Sequence, residues 1–410
     1  MQLQASTEPG RRFAALGDEH AAAFRARLAA YDTAGALPVE NYDDMKKSGF
    51  MAAFVPEELG GLGLTSVHDW CVGMDRLARG DASTAIAVNM HLAGVRTMLQ
   101  LWHGARLAGD SAAEARHAAS MREVTSGNLV LCGTATEPGT DNLRPLTTAT
   151  RIEGGWSITG RKIFVTLSPI AQLCNMSVRV TDAGGDRLAF ATVPTTARGF
   201  EPQDDWDALG MRASGSQSVV FNECLVPEHA VTVVGAWGRW SPAGLIARTV
   251  TNLVLVAVFL GIAERARELA VEAATKQTKT RLGGPLGLSP GVQHLLGQID
   301  IELAAARAVL DVTSRDLDAF LAGPDAQAPA LEAGHAIMRD YQAAKWTANQ
   351  NAISIVSKAM DIAGGGAYMT GNELSRLYRD VRAGPFMQPF SPTELQQYVG
   401  QVAAGIYPEG

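Results

Sequence analysis

The spacing of hydrophobic positions changes twice along this chain. From residue 12 to about residue 125, apolar residues recur at helical spacing, most regularly at residues 67–78 and 82–101. Residues 128–234 instead carry short β-branched and aromatic runs separated by Gly, Pro, Asn and Asp, a pattern typical of strands and turns. Beyond residue 235 the helical spacing returns in longer segments. The pattern therefore predicts a β-domain between two helical regions.

The C-terminal region predicts a bundle of four helices. Residues 247–276 and 330–363 are two long helical segments, and Ser391-Pro392 is typical of a helix start, with serine as the cap and proline in the first turn. Another long helix carries a single apolar stripe, formed by Leu295, Ile299, Leu303, Ala306, Leu310, Leu317 and Leu321. Helices with one apolar face each favour antiparallel packing.

These patterns predict an α+β multidomain protein. The three domains are expected at residues 1–127 (helical), 128–236 (a β-barrel or a sandwich of two packed sheets) and 237–410 (a four-helix bundle). At 410 residues the chain is long enough for each domain to have its own core.

Composition and charge narrow the possible functions. The net charge of −7 gives no support for nucleic-acid binding. The longest apolar run, residues 253–263, is about half as long as a membrane span requires. The N-terminus lacks the pattern of a signal peptide, so we expect a cytoplasmic protein without a membrane segment. Cysteine spacing indicates no metal site and favours four buried, reduced thiols: Cys71, Cys132, Cys174 and Cys224.

Several short motifs follow one another along the chain. Residues 131–141 read Leu-Cys-Gly-Thr-Ala-Thr-Glu-Pro-Gly-Thr-Asp, and later motifs are Phe164-x-Thr166, Gly210-Met211-Arg212, Gly364-Gly365-Gly366 and Arg379-Asp380. In this order, and over nearly the whole chain, they resemble the acyl-CoA dehydrogenase superfamily. Thr-Glu-Pro-Gly alone carries little information, because residues 7–10 repeat it in what we expect to be a loose terminal tail. Neither a dinucleotide-binding GxGxxG nor a P-loop is present in the sequence.

The resemblance implies bound FAD and assigns residues to it. Thr134, Ala135 and Thr136 would hydrogen-bond the pyrimidine end of the flavin ring, where donors stabilise the negative charge of the reduced form. Phe164 would pack near the ring, and Thr166 would approach flavin N5. The other implied cofactor contacts are Arg212, Arg281 at the pyrophosphate, and the turn at Gly364 and Gly365 supplied by a neighbouring subunit. The alternatives are that Arg281 is an exposed, solvated arginine and that the glycine turn only ends a helix.

The family's catalytic base is missing. The resemblance implies a glutamate a fixed short step after Arg379-Asp380, and this chain has Gln388 at that step. A carboxamide accepts no proton at a useful pH, so Gln388 cannot be the base. The nearest downstream carboxylate is Glu394, which is either a relocated base or an acid favoured in the first turn of a helix.

Substrate recognition also departs from the family pattern. The Glu-Pro-Gly-Thr-Asp element lacks the Gly-Ser pair that precedes the aspartate in the family, so the serine that approaches the CoA portion is absent. The family's alternative base position falls at Thr251, followed by Asn252, and neither is a carboxylate. We expect Thr140, Thr251 and Asn252 to lie at the substrate.

Two functions follow from the resemblance. The one we expect is an FAD-dependent dehydrogenase that oxidises the CH–CH group of an acyl thioester, as in fatty acid metabolism, with a relocated base. The alternative is a monooxygenase or oxidase that uses reduced flavin and oxygen and needs no base for an α-proton, which Gln388 favours. A catalytically inactive homologue is a further alternative. The resemblance also implies a homotetramer or homodimer, with electron-transfer flavoprotein or oxygen as electron acceptor.

Overall fold

The N-terminal region is helical, as predicted. The computed structural model describes residues 2–410. In its N-terminal part α1 packs against α3, and Phe13, Phe24 and Leu28 lie on the buried side of α1. The five helices of this part are α1 (Glu8–Ala34), α2 (Val39–Ser48), α3 (Val67–Ala78), α4 (Ala82–Ala108) and α5 (Ser111–Thr125).

The central region is one sheet of eight strands. The neighbour order along it is β6-β7-β3-β1-β4-β5-β8, with β2 pairing to β3 and β4. The central strand β1 is tied to the helical domain, because the backbone N–H of Leu131 donates to Nδ1 of buried His91 on α4 at 3.1 Å. The strands are β1 (Leu131–Thr134), β2 (Thr148–Ile152), β3 (Gly155–Thr166), β4 (Leu173–Asp182), β5 (Gly185–Pro194), β6 (Phe200–Pro202), β7 (Ser216–Pro227) and β8 (Val231–Ala236).

The C-terminal region is the predicted helical bundle, with one difference. Its helices are α6 (Pro242–Lys276), α7 (Pro290–Ala322), α8 (Leu331–Ala363), α9 (Glu373–Val381) and α10 (Pro392–Ala403). The helix expected at Ser391-Pro392 begins there, but it has 12 residues, whereas α6, α7 and α8 have 35, 33 and 33. A small hairpin of β9 (Thr278–Lys279) and β10 (Gly284–Pro285) connects α6 to α7. Secondary structure changes type close to both predicted domain boundaries, which remain predictions.

The helix α6 lies at the centre of the bundle core. By length and composition it is apolar enough to cross a membrane, which the short run at residues 253–263 did not indicate. However, 78% of its most apolar window is buried inside the protein, where α6 packs against α3, α4, α7 and α8. Its apolar surface is therefore used in the core. All four cysteines are buried and free, as expected.

The expectation of a loose tail at residues 7–10 is wrong. Thr7 caps α1, and the backbone N–H groups of Ser6 and Thr7 donate to the Asp69 carboxylate at 2.7 and 2.9 Å. The Thr7 hydroxyl donates to the same carboxylate at 2.6 Å. Burial opposes ionisation of Asp69, but hydrogen bonds from His68 and Thr7 outweigh it and lower its pKa to about 2. A buried carboxylate thus holds the start of the chain in place.

We predict that Asp69→Asn destabilises the protein by about 2 kcal/mol at pH 7, because the amide replaces an ionised acceptor of three hydrogen bonds. The pKa of Asp69 is lower in the folded protein, so its contribution is complete at neutral pH and is lost as pH falls toward 2. Urea unfolding at pH 7 and pH 3 should show a smaller pH dependence in Asp69→Asn than in the wild type. Asp18→Asn, which changes an exposed residue of α1, serves as the control; equal pH dependence of wild type and Asp69→Asn would contradict the prediction.

Candidate flavin site

A buried ion pair fixes the loop that follows β1. Glu137 pairs with Lys162, and both side chains are buried. The Glu137 carboxylate also accepts the backbone N–H of Leu146 at 2.6 Å and that of Thr147 at 3.1 Å. The glutamate of the Thr-Glu-Pro-Gly element therefore holds both ends of the loop at residues 137–147 and is fully engaged in doing so.

Gln388 lies against this loop. Its Nε2 donates to Thr136 Oγ1 at 2.9 Å, and its Oε1 accepts a hydrogen bond from Asn142 Nδ2. Thr136 is in turn tied to β3, because its backbone oxygen accepts the N–H of Ile163 at 3.0 Å. The carboxamide at the position where we expect the family's base thus joins the bundle to the residues expected at the flavin edge.

Two side chains of α8 hold the backbone that carries Gln388. The Tyr341 hydroxyl donates to the Gln388 backbone oxygen at 2.5 Å. Lys345 Nζ donates to the backbone oxygens of Met387 and Phe390, the latter at 2.7 Å. Tyr341 and Lys345 are both buried. Burial lowers the pKa of Lys345 to about 7, although Glu394 opposes this shift. The position of Gln388 is therefore set by the interior of the bundle.

The aromatic residues beside this network suit a planar ring. Phe164 has a left-handed backbone, with φ 54°, and its side chain is 50% exposed. Its ring meets that of Trp206 edge to face at a centroid distance of 5.9 Å. A large aromatic held in an uncommon conformation and left open on one side fits a ligand with an apolar face.

The hydroxyl groups near Phe164 form a chain. Thr166 Oγ1 and Ser216 Oγ are 2.9 Å apart, and Ser216 Oγ and Ser214 Oγ are 2.7 Å apart. On the other side, Thr134 Oγ1 donates to the Ile163 backbone oxygen at 2.8 Å and accepts the N–H of Thr136 at 3.1 Å. The open aromatic face therefore suits a flavin, with Thr134 to Thr136 expected at one edge and Thr166 at another, whereas the Thr134 hydroxyl and the Thr136 N–H are already donating within the chain. These contacts remain predictions.

The glycine turn after α8 is open. Gly364 has φ 75°, and a Cβ added at Gly364, Gly365 or Gly366 would meet nothing within 4 Å in this chain. This space suits the approach of a neighbouring subunit's cofactor that the resemblance implies. The contact and the oligomeric state stay predictions, as does the role of Arg281, which lies exposed beside the β9–β10 hairpin.

Several other predicted site residues are engaged within the protein. Arg212 donates to the Asp32 and Ala208 backbone oxygens, both at 3.0 Å. Glu394 closes a capping box with Ser391 at the start of α10, which is the first-turn role weighed above. The remaining three are bonded back to nearby backbone oxygens: Thr140 to that of Arg144, Thr251 to those of Ala247 and Arg248, and Asn252 to that of Arg248.

Family models match the chain in three consecutive parts. Residues 13–104 match the acyl-CoA dehydrogenase N-terminal domain, residues 131–224 the middle domain and residues 249–388 the C-terminal domain. A putative acyl-CoA dehydrogenase, YdbM of Bacillus subtilis, is 30% identical over 92% of this chain and 93% of its own length. The chain belongs to the acyl-CoA dehydrogenase superfamily. The expected fold is confirmed with it.

The chain is also similar to proteins that are not named as acyl-CoA dehydrogenases. The amino sugar nitrososynthase DnmZ of Streptomyces peucetius is 34% identical over 97% of this chain and 94% of its own length. The X-ray structure of KijD3 with FMN and a dTDP-linked 3-amino-4-keto sugar shares 32% identity and a TM-score of 0.90, covering 99% of this chain and 96% of that one. The chain is therefore a flavin-dependent oxidoreductase, whereas FAD in particular, acyl thioester oxidation and fatty acid metabolism are not established.

Sequence reasoning missed three residues of this candidate site. The side chain of Asn142 contacts that of Gln388, and Lys345 donates to the backbone oxygen of Met387. The third residue is Arg248, whose Nη2 donates to the Asn142 backbone oxygen at 2.9 Å. Only Lys345 left a signal, since it continues the buried spacing of Tyr341 and Ala348 along α8. Within residues 2–410, no group of three or more His, Cys, Asp or Glu residues is placed to hold a metal ion.

We predict that Lys345→Met loosens the Gln388 segment and changes how stability depends on pH. The pKa of Lys345 is lower in the folded protein, about 7, than in the unfolded chain, about 10.4, so the folded protein binds fewer protons between these values. Wild-type stability should therefore rise relative to Lys345→Met by about 1 kcal/mol per unit between pH 7 and 9. Thermal unfolding at several pH values measures this difference.

Hydrogen exchange provides the second measurement for Lys345→Met. Residues 384–391 should exchange faster than in the wild type, because the Met387 and Phe390 oxygens lose their donor. Lys276→Met, at an exposed lysine of α6, should change neither property. If the stabilities of the wild type and Lys345→Met change equally with pH, and exchange in residues 384–391 is unchanged, Lys345 does not hold this segment.

Proposed function

We propose that this protein is a monooxygenase that uses reduced flavin and oxygen to oxidise the amino group of a nucleotide-linked amino sugar. The observation that carries the proposal is the hydrogen bonding of Gln388: its carboxamide is bonded on both sides, at the position where we expect the family's base. The likeness to DnmZ and KijD3 supports the class of substrate.

Both carboxylates of the loop at residues 137–147 are engaged in ion pairs within the chain. Glu137 is paired with Lys162 inside the β-domain. Asp141 pairs with Arg144 at 2.7 Å and accepts the backbone N–H of Leu143 at 2.8 Å. A dehydrogenase needs a free carboxylate at the α-carbon of its thioester, and neither of these acids is free for that role.

A neutral site also suits oxidation of an amine. An amine must be unprotonated to supply its lone pair to an oxidant, and a nearby carboxylate would favour the protonated form. Gln388 adds no charge, so it leaves the pKa of a bound amine lower than a glutamate would. Its Oε1 keeps acceptor capacity beyond the bond from Asn142 and is able to accept an N–H of the substrate.

The reaction balances with oxygen and reduced flavin alone. The reduced flavin, which we propose is FMN on the likeness to KijD3, supplies two electrons per turnover. In a first turnover the amine gains one oxygen atom to become a hydroxylamine, and the second oxygen atom leaves as water. In a second turnover the hydroxylamine becomes a nitroso group and two waters are released.

Acyl thioester oxidation is the second candidate. The likeness to YdbM favours it, and Gln388 opposes it. An anaerobic titration separates the two: any acyl-CoA that bleaches the oxidised flavin would establish the dehydrogenase. The monooxygenase predicts no bleaching, and it predicts incorporation of ¹⁸O from labelled oxygen into a dTDP-amino sugar when a separate reductase supplies reduced FMN. A parallel reaction with FAD tests the choice of flavin.

We predict that Gln388→Glu lowers amine oxidation at pH 7 roughly tenfold and moves the pH–rate profile toward alkaline pH. A carboxylate in contact with the amine raises the amine pKa by about one unit or more, which reduces the unprotonated fraction. The profile of kcat/KM against pH measures the shift. Gln396→Glu, the same change at an exposed position on α10, should leave the profile in place. A Gln388→Glu enzyme with an unmoved profile would exclude contact between residue 388 and the amine.

A further inference from the structure

Arg248 carries a positive charge without an acidic partner. It lies on α6, is partly buried, and its Nη2 donates to the Asn142 backbone oxygen at 2.9 Å. Within residues 2–410 it has no carboxylate oxygen within 4.0 Å, whereas the partly buried Arg265, Arg307 and Arg379 are each paired with one. Burial lowers the pKa of Arg248 to about 10, partly offset by Asp141, so the guanidinium stays charged at neutral pH.

An aromatic ring and an ion pair lie close to Arg248. Its guanidinium carbon lies 5.6 Å from the centroid of the Trp240 ring. Arg144 reaches the same segment, donating to the Gly238 backbone oxygen at 3.2 Å. Asp141, whose charge acts on Arg248, is paired with Arg144. The first turn of α6 carries no acidic residue, so no side-chain charge there offsets the positive end of the helix dipole.

Arg248 is separated from the proposed reaction centre by a single residue. Asn142 donates through its side chain to Gln388 and accepts from Arg248 at its backbone oxygen. The contacts therefore link Thr136, Gln388, Asn142, Arg248 and Trp240 in this order. Two consecutive hydrogen bonds through Asn142 therefore connect Gln388, where the proposed function puts the amine, to the guanidinium of Arg248.

We propose that Arg248 binds the diphosphate of a nucleoside-diphosphate-linked substrate and so sets the position of its amine. This inference rests on the proposed function. A guanidinium presents several donors in a fork that matches phosphate oxygens, and one bond to a backbone oxygen leaves most of them free. An anion would offset the cost of holding this charge partly out of water without a carboxylate.

Arg248 also ties α6 to the loop at residues 137–147, and that structural role has to be separated from anion binding. Two ligands of the wild-type flavin-loaded protein make the distinction: dTDP, which carries the diphosphate, and thymidine, which does not. Titration calorimetry measures both affinities without turnover. Arg248→Met should weaken dTDP binding roughly 10- to 100-fold, the effect of losing a charge-assisted contact, and leave thymidine binding within about twofold.

Two further variants complete the test. Arg248→Lys keeps the charge without the fork and should fall between wild type and Arg248→Met. Arg151→Met removes a charge from an exposed residue paired with Glu228 on the far hairpin and should bind both ligands as wild type does. A more than twofold loss of thymidine affinity with Arg248→Met, or unchanged dTDP affinity, would overturn the role in diphosphate binding.

Failure of this inference is distinguishable from failure of the proposed function. If the wild type oxidises amino sugars and Arg248→Met binds dTDP normally, the inference alone is wrong. If the wild type oxidises a free amine but binds no dTDP, amine oxidation stands and the diphosphate site falls. If neither binding nor amine oxidation is found with reduced FMN and oxygen, both are wrong.

Discussion

The structure depends on a buried hydrogen bond between two domains. The Asp380 carboxylate, at the end of α9, is buried and accepts the backbone N–H of Met211 at 2.6 Å. Gly210 makes this approach possible, because a Cβ there would lie 2.3 Å from the Arg379 backbone oxygen. Arg379 pairs with Asp32 of α1, so one dipeptide joins all three domains. The Gly-x-Arg and Arg-Asp steps are therefore two sides of a single contact.

The position of Gln388 depends on this contact between domains. After Asp380 the chain makes a short turn and packs against α8. There Tyr341 and Lys345 donate hydrogen bonds to the backbone oxygens of the Gln388 segment. On the other side, the ion pair of Glu137 and Lys162 holds the loop that supplies Asn142. Since both partners of Gln388 are fixed, a change from carboxylate to carboxamide alters the chemistry of the site and leaves the scaffold as it is. We regard this as the physical basis for two chemistries on one fold.

The proposed site separates charge along its length. The inner end, at Gln388, is a hydrogen-bonding surface without net charge, which leaves a bound amine able to lose its proton. The outer end, at Arg248 and the start of α6, is cationic and suits an anion. An acyl-CoA dehydrogenase needs a negative charge at the inner end. The distribution of charge in this chain is therefore suited to a different substrate.

The sequence alone determined the order of the three domains and the long bundle helices, and it predicted the loss of the base at Gln388. These follow from local periodicity and from motif spacing, which are properties of neighbouring residues. It could not find the role of Asp69, which is 62 residues from Thr7, or that of Asn142, which is 246 residues from Gln388. The prediction of a loose tail at the repeated Thr-Glu-Pro-Gly of residues 7–10 was also wrong. Packing between distant segments decides the partner of each buried polar group. Only the tertiary structure therefore showed that Lys345 holds the backbone around Gln388 and that Arg248 has no carboxylate partner.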